Sequence, residues 1–200
     1  MSGTDGDVID ALVGITPGSP LDAIRARRPE ARAHAQATYR ALFAPETFGN
    51  VTAQERFAVG VFVAGLHGAG AVADAYARRL AESGAAAALS EAIGAAVKEA
   101  TTHGPYGSYP AGPLSREDAA GPVYRVSAAA RRALGPRLAA ALEHTHMLVF
   151  HPRDAAPGSL QALLDAGWAT TDIVTLSQIV AFLSFQIRVV IGLRALAGRP

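Results

Sequence analysis

Val51-Thr52-Ala53-Gln54-Glu55-Arg56-Phe57-Ala58-Val59-Gly60-Val61-Phe62-Val63-Ala64-Gly65-Leu66-His67-Gly68 is the stretch on which the fold turns. Thr52 with Glu55 three residues on is a capping box, in which each side chain satisfies a backbone amide left free at a helix start. The apolar run behind it predicts one helix to about Leu66, and Gly68 and Gly70 break or cap it. A second helix is expected over residues 72–83, stopped by Gly84. Residues 85–101 are alanine-rich and predict a third, whose small side chains allow close packing and carry no chemistry.

Outward toward the N-terminus, residues 7–13 read as a short helix or arm, ended by Gly14 and the turn-rich Thr16-Pro17-Gly18-Ser19-Pro20. Residues 21–43 read as one helix, kinked or split near Pro29, because proline lacks the donor that a helix interior needs. Residues 44–50 are a linker. Outward toward the C-terminus, residues 103–113 are a loop: glycines and prolines break any helix there, and Tyr106 and Tyr109 are unusual in a plain linker. Ser115-Arg116-Glu117-Asp118 starts a short helical turn. Ser127 caps a helix over 128–148 that is interrupted or restarted near Pro136. A loop at 151–158 and a short helix at 159–166, stopped by Gly167, precede Thr171 and Asp172, which cap a long final helix over 173–197. With no strand-length alternation and no internal repeat, the expectation is an all-α fold in one domain. Its parts are an N-terminal arm with helices (1–50), core helices (51–101), an insert-bearing region (102–158) and C-terminal core helices (159–200).

Two hundred residues bury a real core without staples. The chain is 50% hydrophobic but only 6% aromatic and 18% charged, which favours helices. A net charge of +1 without a Lys/Arg run argues against a nucleic-acid partner. There is no cysteine, so disulfides, thiolate metal sites and cysteine nucleophiles are excluded. The first residues are acidic and polar and lack a secretory signal pattern. The longest apolar stretch, 173–193, contains Ser177, Gln178, Ser184, Gln186 and Arg188. It reads as a buried helix and not a membrane span, which makes cytoplasmic the expected location.

Two segments carry a family resemblance. Residues 51–80 are similar to the Leu-Thr-x-x-Glu-Arg opening, long apolar helix and glycine of the alkylhydroperoxidase / carboxymuconolactone decarboxylase family. Residues 163–193, from Leu163-Leu164-Asp165-Ala166-Gly167-Trp168 to Phe185-Gln186-Ile187-Arg188, resemble the C-terminal half of its peroxidase-related branch. The resemblance implies an alkylhydroperoxidase-like (AhpD-like) helical domain and a homo-oligomer. It also implies where the family's chemistry would stand. The reactive Cys-x-x-Cys pair falls on Ala69 and Val72, the following histidine on Tyr76, and the proton-relay glutamate on Phe57. Arg188 matches the family, while its two asparagine positions are Ser184 and Ile187. A thiol peroxidase needs a thiolate, a base and a resolving partner, and this chain lacks all three.

His67, beside the vestigial pair, is a candidate general acid or base, or else a histidine that satisfies free helix carbonyls. Tyr76, one turn after Val72, is a candidate catalytic donor, or a core tyrosine with its hydroxyl at the edge. Glu55 and Arg56 read as a cap and a local ion pair. Arg188, in an apolar helix, needs a carboxylate partner; the family pattern suggests Glu55, and an anion-binding role is the alternative. Tyr106 and Tyr109, with His103, are candidate ligand-binding groups on a loop that closes over a pocket or a neighbouring subunit, or surface aromatics. His144, His146 and His151 invite a metal reading, but His144 and His146 point about 200° apart on a helix and no carboxylate set completes a site, so no metal is assigned. No phosphate-binding glycine motif is present, and no cofactor is assigned. Three classes of function follow: a cysteine-independent enzyme or small-molecule-binding protein that reuses the family pocket, a non-catalytic paralogue that partners an active peroxidase, and a peroxidase in name only.

Overall fold

The computed structural model describes residues 6–198, and nine α-helices follow one another among them. They are α1 (Val8–Val13), α2 (Pro20–Ala26), α3 (Pro29–Phe43), α4 (Ala53–Leu66), α5 (Gly70–Glu82), α6 (Ala87–Ala100), α7 (Ala128–Phe150), α8 (Pro157–Asp165) and α9 (Thr170–Leu196). Two 3-10 turns, Pro113–Glu117 and Pro152–Asp154, lie in the connections. The described residues contain no strand, only an isolated bridge between Gly107 and Ala119. The fold is all-α, as expected.

The capping box forms at the start of α4: Glu55 N donates to Thr52 Oγ1 at 3.2 Å and Thr52 N to Glu55 Oε2 at 2.8 Å. That start commits an apolar helix with little polar face, and such a helix must be surrounded. α5, α6, α7 and α9 pack around it, and Phe62, Val63 and Ala64 are fully enclosed. Two glycines permit the close approach. A Cβ at Gly60 would lie 2.6 Å from the Tyr76 ring on α5, and one at Gly65 would lie 2.6 Å from Val97 on α6.

The break at Pro29 is a full split into α2 and α3. The break before Pro136 is a kink within α7, carried by Gly135 at φ +74°, a left-handed conformation open to glycine. The final helix starts one turn earlier than expected. Ala169 is its N-cap, and its amide donates to Asp172 Oδ2 at 3.2 Å; Thr171 is exposed and caps nothing. The chain is held there because Trp168 is buried and its Nε1 donates to Arg137 O at 2.9 Å. α9 is long and apolar enough to cross a membrane by length and composition, but one side of it, from Ile173 through Ile187 to Leu193, lies in the core.

Two expected ion pairs are replaced. Glu55 does not meet Arg188: its Oε1 accepts from Arg137 Nε at 2.7 Å, and Arg188 is exposed. Arg137 also reaches Asp172 Oδ2 at 3.4 Å, bonds Gly167 O and stacks on the Trp168 ring at 4.1 Å. It ties the starts of α4 and α9 to the middle of α7. Arg56 is not in a local ion pair but in a cage of carbonyls, donating to Val51 O, Leu42 O and Phe48 O at 2.7–2.9 Å. This staples the 44–51 connection onto α4. Burial pushes its guanidinium below the ordinary value.

Candidate functional site

Of the positions that the resemblance singles out, Ala69 and Val72 stand at the α4–α5 turn, while Phe57 near the start of α4 and Tyr76 on α5 join Phe43 in an aromatic cluster. Val72 is buried and Ala69 half-buried. Phe57 stacks on Phe43 at 5.8 Å, and Phe43 meets Tyr76 at 5.1 Å. Tyr76 does not keep its hydroxyl at an edge. It is 3% exposed and donates to Gln186 Oε1 at 2.7 Å, while burial holds its phenol well above the usual range. His67 is half-buried at the end of α4, with Nε2 3.4 Å from Ser184 Oγ, a long contact. Burial, and then the charge of Arg188, push its imidazole below the ordinary value. Arg188 stands on the solvent face of α9. Two residues before it, Gln186 is buried, and its Nε2 has no partner.

A different group of residues forms a cleft of about 290 Å³ between the 121–125 segment, α7, the Pro152–Asp154 turn and α8. His144, His146 and His151 all line it, although the first two are only two residues apart on the same helix. They are 5%, 1% and 6% exposed, and each keeps one buried ring nitrogen without a partner: His144 Nδ1, His146 Nδ1 and His151 Nε2. The described residues contain no group of three His, Asp or Glu that could hold a metal ion.

The hydrogen bonds assign the tautomers. His151 Nδ1 lies 3.2 Å from Asp154 Oδ2, and a carboxylate only accepts, so Nδ1 carries the proton and Nε2 the lone pair. His146 Nε2 lies 3.1 Å from Ala100 O, so it is the donor and Nδ1 the lone pair. Burial, then repulsion from His151 once that ring is protonated, push His146 down to about 4; burial also lowers His144. The Tyr124 ring packs on His146 at 5.2 Å, and burial raises its phenol to about 12. Glu143 receives Arg131, Arg125 and the Val126 amide, which anchors the 121–126 wall across α7.

The glycine- and proline-rich loop is fastened to the body at this same end. Tyr106 N donates to Phe150 O at 2.7 Å, and its hydroxyl meets Thr102 at 2.9 Å. Tyr109 lies under the Arg153 guanidinium at 3.8 Å. His103 is exposed. Neither tyrosine lines the cleft; the loop contributes Ser108, whose amide donates to Asp154 Oδ1 at 3.2 Å. Sequence reasoning picked out the three histidines but missed Asp154, Tyr124 and Glu143. The one local signal was His151-Pro152-Arg153-Asp154, a spacing that a 3-10 turn brings together.

These features define an all-α protein with a carboxylate-oriented histidine in a buried cleft. Compared with known protein families, curated proteins and solved structures, the chain matches none.

Proposed function

We propose that the protein binds a small polar molecule in the histidine cleft and acts on it by acid–base chemistry that uses no cysteine. One observation carries this: Asp154 orients His151 and leaves its Nε2 lone pair buried and unpartnered at the cleft. A buried polar atom without a partner costs about 1–3 kcal/mol, and a ligand donor recovers it. The proton taken by Nε2 makes an imidazolium, which the Asp154 carboxylate stabilises in place. His146 offers a second lone pair, so the cleft suits a molecule carrying O–H or N–H donors. The resemblance supports the same class of function at another address, with His67 and Tyr76 as catalytic groups and Arg188, Tyr106 and Tyr109 as ligand contacts. At that address the Tyr76 hydroxyl is already spent on Gln186 and Arg188 faces solvent, which favours the cleft.

Nitrogen-15 NMR of the histidine rings tests the choice, with phenol, catechol and urea as probes. The expected result is that the His151 and His146 resonances move while those of His67 stay. Movement at His67 alone returns the site to the α4–α5 turn, and movement at none of them defeats the proposal.

A second reading concerns partners. α9 leaves Val174, Phe185, Ile191 and Leu196 exposed, and its exposed positions between Thr171 and Phe185 carry no charge. This face supports association with another helical subunit: a copy of this chain, giving a homo-oligomer, or a paralogous peroxidase. Sedimentation of the wild type and of Phe185→Glu, alone and with such a relative, tests it; monomers throughout defeat it.

A further inference from the structure

We propose that a second pocket, bounded by α1, α3 and α5, binds an amphiphilic carboxylate: one anionic head on an apolar body. The pocket has a volume of about 610 Å³, within the range of small-molecule sites, and shares no residue with the histidine cleft. Val8, Ala11 and Leu12 form one wall, and Tyr39, Ala75 and Tyr76 the other. The α1 wall is fixed by polar straps. Val8 N donates to Gln36 Oε1 at 2.8 Å, and Arg194 Nη2 donates to Leu12 O at 3.0 Å.

The rim is where the charge lies. Arg78, Arg79 and Glu82 line it. Arg79 and Glu82 offset one another at 3.4 Å. Arg78 forms no ion pair among the described residues, not even with Asp74 one turn back, so the rim keeps one uncompensated guanidinium. The acids of the α1 region are already engaged, Asp7 by Arg25 and Asp10 by Arg25 and Arg32. Inside the rim, the Tyr39 side chain is buried at 9% exposure, and its hydroxyl has no hydrogen-bond partner among the described residues. An unpaired guanidinium, a free phenol and apolar walls lining one pocket match a carboxylate head with a hydrocarbon body.

Calorimetric titration of the full chain with decanoate and with decanol, each below its aggregation concentration, tests the proposal. Decanoate is expected to bind at least about fivefold tighter than decanol, with the margin shrinking as salt rises. Arg78→Ala, a surface change that spares the core, is expected to erase the margin. Tyr39→Phe is expected to weaken decanoate about twofold or more. His151→Gln should leave decanoate binding at the wild-type value, which separates this pocket from the cleft. Equal affinity for decanoate and decanol, no response to Arg78→Ala, or no binding of either probe overturns it.

Discussion

One oxygen of Asp154 lies 3.2 Å from His151 Nδ1, and the other accepts the Ser108 amide at 3.2 Å. The carboxylate is thus held by the loop and in turn holds the imidazole. Asp154→Asn keeps the shape but lets the amide meet His151 in the opposite tautomer. Ring-nitrogen NMR should show the proton moving to Nε2, and acid–base turnover should fall roughly 10²-fold or more. A variant that keeps both the Nδ1–H tautomer and full turnover would remove Asp154 from the site.

Acid should unfold this protein through its histidines. The folded His146 sits at about 4 against an ordinary 6.5. Below pH 6.5 the unfolded chain therefore takes up a proton that the folded chain refuses, and stability falls as pH drops toward 4. The full displacement corresponds to about 3 kcal/mol. His144 and His67 shift in the same direction and add to the slope. Urea denaturation across this window should show the loss, and His146→Gln should flatten it.

Arg137 links Glu55, Asp172, the Gly167 carbonyl and the Trp168 ring. Arg137→Ala leaves two mostly buried carboxylates without their cation and should cost about 2–3 kcal/mol in denaturant melts. Arg137→Lys should recover less than half, because an ammonium neither stacks on the indole nor serves several acceptors in a plane.

Tyr76→Phe strips Gln186 of its hydrogen bond in a site with 0% exposure, at a cost of about 1–3 kcal/mol. Replacing both ends, Tyr76→Phe with Gln186→Leu, should restore part of that. A double mutant as unstable as the sum of its parts would mean that the pair does not act as a unit.

Much of the fold was legible because its signals are local. Thr52 with Glu55, Pro29, Pro136 and the glycines after α4 and α5 act within about a turn of chain, and each does in the structure what its chemistry demands. The start of α9 was misread by one turn, because Trp168 and its bond to Arg137 O, far away in sequence, hold the chain there. The partner of Glu55 was misread for the same reason. Arg188 and Gln186 are two residues apart in a helix that is apolar all round, so periodicity does not say which one faces the core.

The sequence by itself determined the all-α class, the order of helices, most of their ends and the impossibility of thiol chemistry. These follow from side chains acting on their own backbone and from a residue type that is absent. Only the tertiary structure decided that Phe57 and Tyr76 both pack on Phe43, that Gln186 and not Arg188 turns inward, and that three histidines meet Asp154 at one cleft. Those outcomes depend on which faces of distant helices meet, and packing around α4 settles that, not propensity along the chain.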